Sequence, residues 1–112
     1  MNERDRQIIL KLRSEARLVL QMLDGYDLQT FLSDEKTKRA VCMTLINIGE
    51  LVKNLSDELR SAHPHVPWRA ISGLRDITAH KYQTLRMEDV WLTATRDIPQ
   101  LKEELDAILA AR

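Results

Sequence analysis

The sequence predicts an all-α fold: an up-and-down bundle of four main helices plus one short helix. Three observations carry that expectation. Apolar residues recur at steps of three and four along most of the chain. Glycine and proline number only three each, which argues for long helices. Charged residues make up 30% of the chain, the composition of solvated helix faces rather than of a sheet. At 112 residues the chain forms one domain, spanning 1–112.

The first helix shows Ile8, Leu12, Ala16, Val19 and Leu23 on one face, and Gly25 is its expected C-terminal stop. Asp27 to Leu32 fit one short helical turn carrying Phe31. Ser33 is the expected N-cap of the next helix, with Asp34 and Glu35 set against the helix dipole. That helix is long and buries Val41, Leu45, Ile48, Val52 and Leu55. Cys42 falls within it as a small core side chain, while Asn47, Glu50 and Asn54 form a polar ridge facing water. Pro64 ends the following region, and Pro67 suits the first position of a new helix. From there Trp68, Ile71, Leu74 (or Arg75) and Thr78 predict a helix running to His80, with Trp68 as a packing anchor. Gly73 lies mid-helix, where it costs about 1 kcal/mol against alanine; close approach of another backbone would account for it. The last helix starts near Met87 and uses Trp91, Ala94, Ile98, Leu101, Leu105 and Ile108, with Pro99 expected to bend or split it.

Several function classes recede on composition. The formal net charge is zero, so nucleic-acid binding would need a local patch. One cysteine allows no disulfide within the chain. The N-terminus enters directly into an amphipathic pattern, so no leader is expected. No apolar run reaches the roughly 18 residues of a membrane span, and a cytoplasmic protein is expected. Between residues 60 and 86, five cations (Arg60, Arg69, Arg75, Lys81, Arg86) face the single acid Asp76, and all three histidines lie there too. This local excess suits a phosphate ligand.

Within that window, Arg75-Asp76-Ile77-Thr78-Ala79-His80-Lys81-Tyr82 gathers the chain's reactive groups. On a continuous helix Arg75 and Tyr82 would stack about 20° apart, and Asp76 and His80 would be neighbours on one ridge. Arg75 and His80 would stand about 140° apart, so they converge only if the helix ends or unwinds near His80. Arginine can fork onto a phosphate, and histidine moves protons near neutral pH. No clustered ligand set suggests a metal or another cofactor.

The pattern Arg75-x4-His80-x-Tyr82 resembles the signature of the HEPN (higher eukaryotes and prokaryotes nucleotide-binding) superfamily, and more narrowly that of HepT-like toxins. Pro67-Trp68, Ile48-Gly49-Glu50, Val90-Trp91 and Ile98-Pro99 are similar to the same family. The resemblance implies a helical bundle paired as a symmetric homodimer, with Arg75 and His80 of both copies lining one cleft. It implies a metal-independent endoribonuclease, the toxin of a type VII toxin–antitoxin pair, with transfer RNA as a target class. It also implies a partner, a minimal nucleotidyltransferase antitoxin that transfers AMP to Tyr82. Asp76, which stands where the common family form has asparagine, would support His80. The competing expectation is a non-catalytic subunit that binds a nucleotide or a nucleotidyltransferase. Comparing the wild type with His80→Ala for harm to the cell and RNA cutting separates the two.

Overall fold

A computed structural model describes residues 1–111, with His80 described by its backbone alone. All regular secondary structure among the described residues is helical, with no strand among them. Helix α1 (Glu3–Met22) begins where Asn2 Oδ1 accepts the backbone N–H of Asp5 at 2.7 Å. It buries Ile8, Ile9, Leu12, Ala16 and Val19. The chain then turns at Gly25, whose φ of 78° is the left-handed conformation that a side chain disfavours. Helix α2 (Leu28–Ser33) is capped by Asp27, and helix α3 (Glu35–Lys53) by Asp34.

The cap of α3 thus lies one residue later than Ser33. Asp34 takes the role because its carboxylate accepts the Thr37 backbone N–H at 3.0 Å, the Thr37 hydroxyl at 2.7 Å and the Tyr26 hydroxyl at 2.6 Å. The Ser33 hydroxyl instead donates to the Thr30 carbonyl, within α2.

Helices α1 and α3 pack side by side. Asn47 reaches Glu15 at 3.1 Å, while Ser56, just beyond α3, reaches Asp5. Low numbers on α1 therefore face high numbers on α3, and the two run antiparallel. The Asp5 carboxylate is 2% exposed and accepts both the backbone N–H of Ser56 (3.0 Å) and its hydroxyl (2.5 Å). Burial works against its charge, but the Ser56 hydrogen bonds outweigh that and hold its pKa below the ordinary value. Ser56 in turn caps α4 (Asp57–Ala62).

The expected third main helix is not continuous. Helix α5 covers Trp68–Ser72, with Pro67 at the cap and not at the first helical position. A tighter 3₁₀ turn follows over Gly73–Asp76, the chain extends at Ile77 (ψ 115°), and α6 is the single turn Ala79–Tyr82. The indole N–H of Trp68 donates to the His63 carbonyl at 2.9 Å, and its ring is buried, the anchor its position suggested.

Helix α7 (Met87–Leu92) runs through a widened π turn (Thr93–Asp97) into α8 (Ile98–Ala110). Pro99 neither splits nor ends the rod. The turn before it is wound so that the N–H of Ile98 bonds five residues back to Thr93, which accommodates the donor that Pro99 lacks. Helix α8 closes the core against α1 with Ile98, Leu101, Leu105 and Ile108.

Candidate active site

The site begins at a glycine, though not the one the sequence pointed to. A Cβ on Gly73 would meet nothing within 4 Å. A Cβ on Gly49 would run into the backbone N of Arg75, and would lie 3.0 Å from the Ser72 carbonyl oxygen and 3.1 Å from Arg75 Cβ. Helix α3 and the 72–75 turn therefore meet backbone to backbone, with no room for a methyl group. The close approach belongs to Gly49, and it seats the main chain of Arg75 directly on α3. A glycine between the core residues Ile48 and Val52 was the signal that could have located it.

The side chain of Arg75 rises from that seat into solvent, 38% exposed, with Nη1 3.7 Å from Glu50 Oε1. Glu50 is thus more than a member of a water-facing ridge: it is an anion beside the guanidinium. At this distance and exposure the pair restrains Arg75 only loosely. The planar fork of donors remains accessible to a phosphate.

Beyond Arg75 the helical registers inferred from an unbroken helix do not hold. The extended Ile77 lies between Asp76 and His80, so they are not i, i+4 neighbours on one ridge. Asp76 is exposed at the end of the 3₁₀ turn. The break that would let Arg75 and His80 approach a shared ligand comes before His80, at Ile77–Thr78, and not after it. Thr78 restarts the chain as α6: its carbonyl accepts the Tyr82 N–H at 2.7 Å and its hydroxyl accepts the Lys81 N–H at 3.2 Å. His80 stands on α6; its side chain lies outside the described residues.

Tyr82 closes α6 and reaches the opposite end of α3. Its hydroxyl donates to Glu35 Oε1 at 3.1 Å, and the Arg39 guanidinium lies 4.9 Å from its ring centroid. Glu35 also pairs with Lys38 (3.1 Å) and Arg39 (3.0 Å). Burial raises the Tyr82 pKa, and the hydrogen bond to Glu35 raises it further, so the phenol keeps its proton. The hydrogen bond from Lys38, then that from Tyr82, lowers the pKa of Glu35. The residues that hold Arg75 and Tyr82, Glu50 and Glu35, stand about four turns apart on α3, roughly 22 Å. Within one protomer, then, the two motif residues are not stacked on a common flank.

Between α3 and α6 lies an open hollow of about 330 Å³, lined by Cys42, Met43, Ile46, Ile77, Thr78 and Ala79 with Arg39 and Tyr82. Cys42 is buried, and burial together with the charge of Glu35 pushes its thiol up to about 11, which makes it an inert core group. Among the described residues no three His, Cys, Asp or Glu side chains cluster to hold a metal ion, and no helix is long and apolar enough to cross a membrane.

The geometry defines an all-helical protein with an exposed, backbone-seated arginine and a tyrosine whose hydroxyl is held by a carboxylate. Comparison with known proteins gives the particular family. Residues 12–108 match the family model described as "Ribonuclease HepT-like". A "Putative RNase" of Caldanaerobacter subterraneus subsp. tengcongensis is 35% identical over 95 residues, covering 85% of each chain. The "Probable ribonuclease HepT" of Thermococcus cleftensis is 36% identical over 80 residues, 71% of this chain and 73% of that one. A "Putative RNase" of Methanocaldococcus jannaschii is 32% identical over 91 residues, 81% of this chain and 78% of that one. No solved structure matches the chain. The chain belongs to the HepT-like ribonuclease family of the HEPN superfamily, and with that membership goes endoribonuclease activity.

Proposed function

We propose that the protein is a metal-independent endoribonuclease toxin, acting as a homodimer in which Arg75 and His80 of both copies work on one RNA phosphodiester. The observation that carries this reading is Arg75, whose backbone is locked to α3 at Gly49 while its guanidinium stays open to solvent. A fixed base under an exposed fork is what a phosphate-holding residue needs.

RNA brings its own nucleophile, the 2′-hydroxyl. In the proposed reaction that oxygen attacks phosphorus, its proton passes to one His80 imidazole, and the second His80, protonated, supplies a proton to the departing 5′-oxygen. General acid–base catalysis of this kind is worth about 10²–10⁴-fold. Arg75 neutralises the charge that builds on the phosphorane oxygens. Asp76, placed between Arg75 and the break, contributes a carboxylate that favours an imidazolium nearby and weakens the phosphate's hold.

Support for pairing comes from the outer face of α1 and α3. The Asn47–Glu15 contact sets their antiparallel register, which puts Leu18 (41% exposed) opposite the segment carrying Met43 (57% exposed). Two large apolar side chains exposed on one face suit a contact with a second copy.

In the same reading the protein is the toxin of a type VII pair, with transfer RNA as its target class. A cognate minimal nucleotidyltransferase neutralises it by moving AMP from ATP to the Tyr82 hydroxyl. The proposal is tested with protein purified without the partner and offered total RNA in the presence of a chelator. Wild type is expected to cut, and His80→Ala and Arg75→Ala to lose at least about 10²-fold. Cutting by His80→Ala at the wild-type rate, or abolition by the chelator, would falsify it. For the control arm, incubation with the partner and ATP should add adenylyl mass that Tyr82→Phe fails to acquire.

A further inference from the structure

We infer that Glu35, assisted by Arg39, is a positioning residue for RNA cleavage: it moors α6, the turn on which His80 stands, to α3 through the hydroxyl of Tyr82. The inference rests on the reading that His80 acts on RNA.

The need for a mooring follows from how α6 is built. It is four residues long, too short to be stable by itself, and an extended residue separates it from the turn seated on Gly49. Its face toward α3 borders an open hollow of about 330 Å³, so only part of that face is packed. Ala79 and Lys81 are exposed. Tyr82 is therefore the described side chain through which α6 leans on the body: its ring packs partly against the hydrophobic core, while Glu35 takes the hydroxyl and Arg39 lies over the ring. Lys38 and Arg39 in turn fix the Glu35 carboxylate, and Lys38 is itself held by the Leu32 carbonyl at 2.8 Å. The result is a braced acceptor at the first turn of α3, aimed at the end of α6.

The same contact gives nucleotidyl transfer a mechanical consequence. The phenolic oxygen of Tyr82 bonds to the α-phosphorus of ATP, and the bond from that phosphorus to the bridging oxygen breaks. Pyrophosphate leaves with the bonding pair, and the phenolic proton passes to the Glu35 carboxylate and on to water. The product has no O–H to donate, and its phosphate anion faces the carboxylate that formerly held it. Modification thus releases α6 instead of covering Arg75, which is held about four turns away in the same protomer.

The test is steady-state cleavage of a defined RNA oligonucleotide by the wild type and by Glu35→Ala, Glu35→Gln, Tyr82→Phe, Glu35→Ala/Tyr82→Phe and His80→Ala. Glu35→Ala and Tyr82→Phe should each lower kcat by about tenfold and leave KM within about twofold, as a misplaced but intact catalytic group does. The double variant should be no worse than either single one, and Glu35→Gln, which keeps a carbonyl acceptor, should recover most of the rate. Wild-type kcat in Glu35→Ala alongside a dead His80→Ala overturns the mooring and leaves the catalytic reading standing. So does a loss confined to KM, or losses that multiply in the double variant. Full activity in His80→Ala removes the catalytic reading, and the mooring with it.

Discussion

Toward its C-terminal end, α3 carries Gly49, and the turn bearing Arg75 sits against it main chain to main chain. At its N-terminal end the same helix carries Glu35, which touches Tyr82 through one hydrogen bond in a half-exposed setting above an open hollow. The first contact is set by hard atoms that cannot yield. The second adds to the partial packing of the Tyr82 ring a polar hydrogen bond that water can replace. Under the proposed function, one reacting group must be held still and another kept open to modification, and the two kinds of contact suit those two demands. The rigid contact gives precision, and the solvated one gives reversibility because breaking it costs little.

The comparison is broken most severely at its rigid end. In Gly49→Ala the new methyl group collides with the backbone of Arg75, and no flexible side chain can move aside. Overpacking of this kind costs about 1–3 kcal/mol, and the upper part of that range is expected here. Urea denaturation should show it, and RNA cleavage should fall further than the loss of folded protein explains, because Arg75 moves with the turn. A variant as stable and as active as wild type would mean that the backbone contact positions nothing.

Asp5 sharpens the same end by a different route. It ties the start of α1 to Ser56, just beyond the C-terminal end of α3, and so braces the helix that carries Gly49. Asp5→Ala leaves the half-buried Ser56 donors without their acceptor, which costs about 1–3 kcal/mol. No steric change reaches Arg75, so cleavage per folded molecule should stay at the wild-type level. Stability falling while specific activity holds is the expected pattern; specific activity falling in parallel would show that bracing and positioning are one function.

How much of this could be read from the sequence follows from the kind of contact involved. The buried stripes of α1, α3 and α8, the stop at Gly25 and the anchor at Trp68 come from local periodicity and backbone preference, and they stand as expected. The break at Ile77 did not show, because Trp68, Ile71, Leu74 and Thr78 keep helical spacing even though the chain tightens and then extends between them. Apolar spacing records which side chains face inward, and a 3₁₀ turn preserves that for a few residues. Gly73 drew attention because it sat in the middle of an expected helix, while the glycine in contact, Gly49, was distant in sequence. Glu35 read as the ordinary acidic first turn of a helix; only the folded chain brings it and Arg39 to Tyr82. Membership of the family and the presence of Arg75 at an accessible surface were within reach of the motif, but the different ways α3 holds Arg75 and Tyr82 were not.

The smallest effect is expected from acid, and it probes the loose end by itself. The Tyr26 hydroxyl first, then the backbone and hydroxyl of Thr37, hold the Asp34 carboxyl down to about 2. A carboxyl whose folded-state pKa lies below its unfolded value of about 3.9 stabilises the folded chain fully above that value, and the contribution disappears as the pH falls through the folded pKa. Between about pH 4 and 2 the cap of α3 should therefore weaken, one residue from the Glu35 mooring. The backbone amide of Thr37, which donates to Asp34, should report it as a chemical shift that titrates near the bottom of that range. Asp34→Asn keeps an acceptor for that amide and removes the proton equilibrium, so its Thr37 shift should stay flat. The amide of Ser56 reports the Asp5 carboxyl at the other end of α3 in the same titration. If the two amides move together in wild type and both flatten in Asp34→Asn, the ends are coupled and the contrast between them fails; separate titrations, with Ser56 unaffected by the substitution, would show that α3 holds its two ends independently.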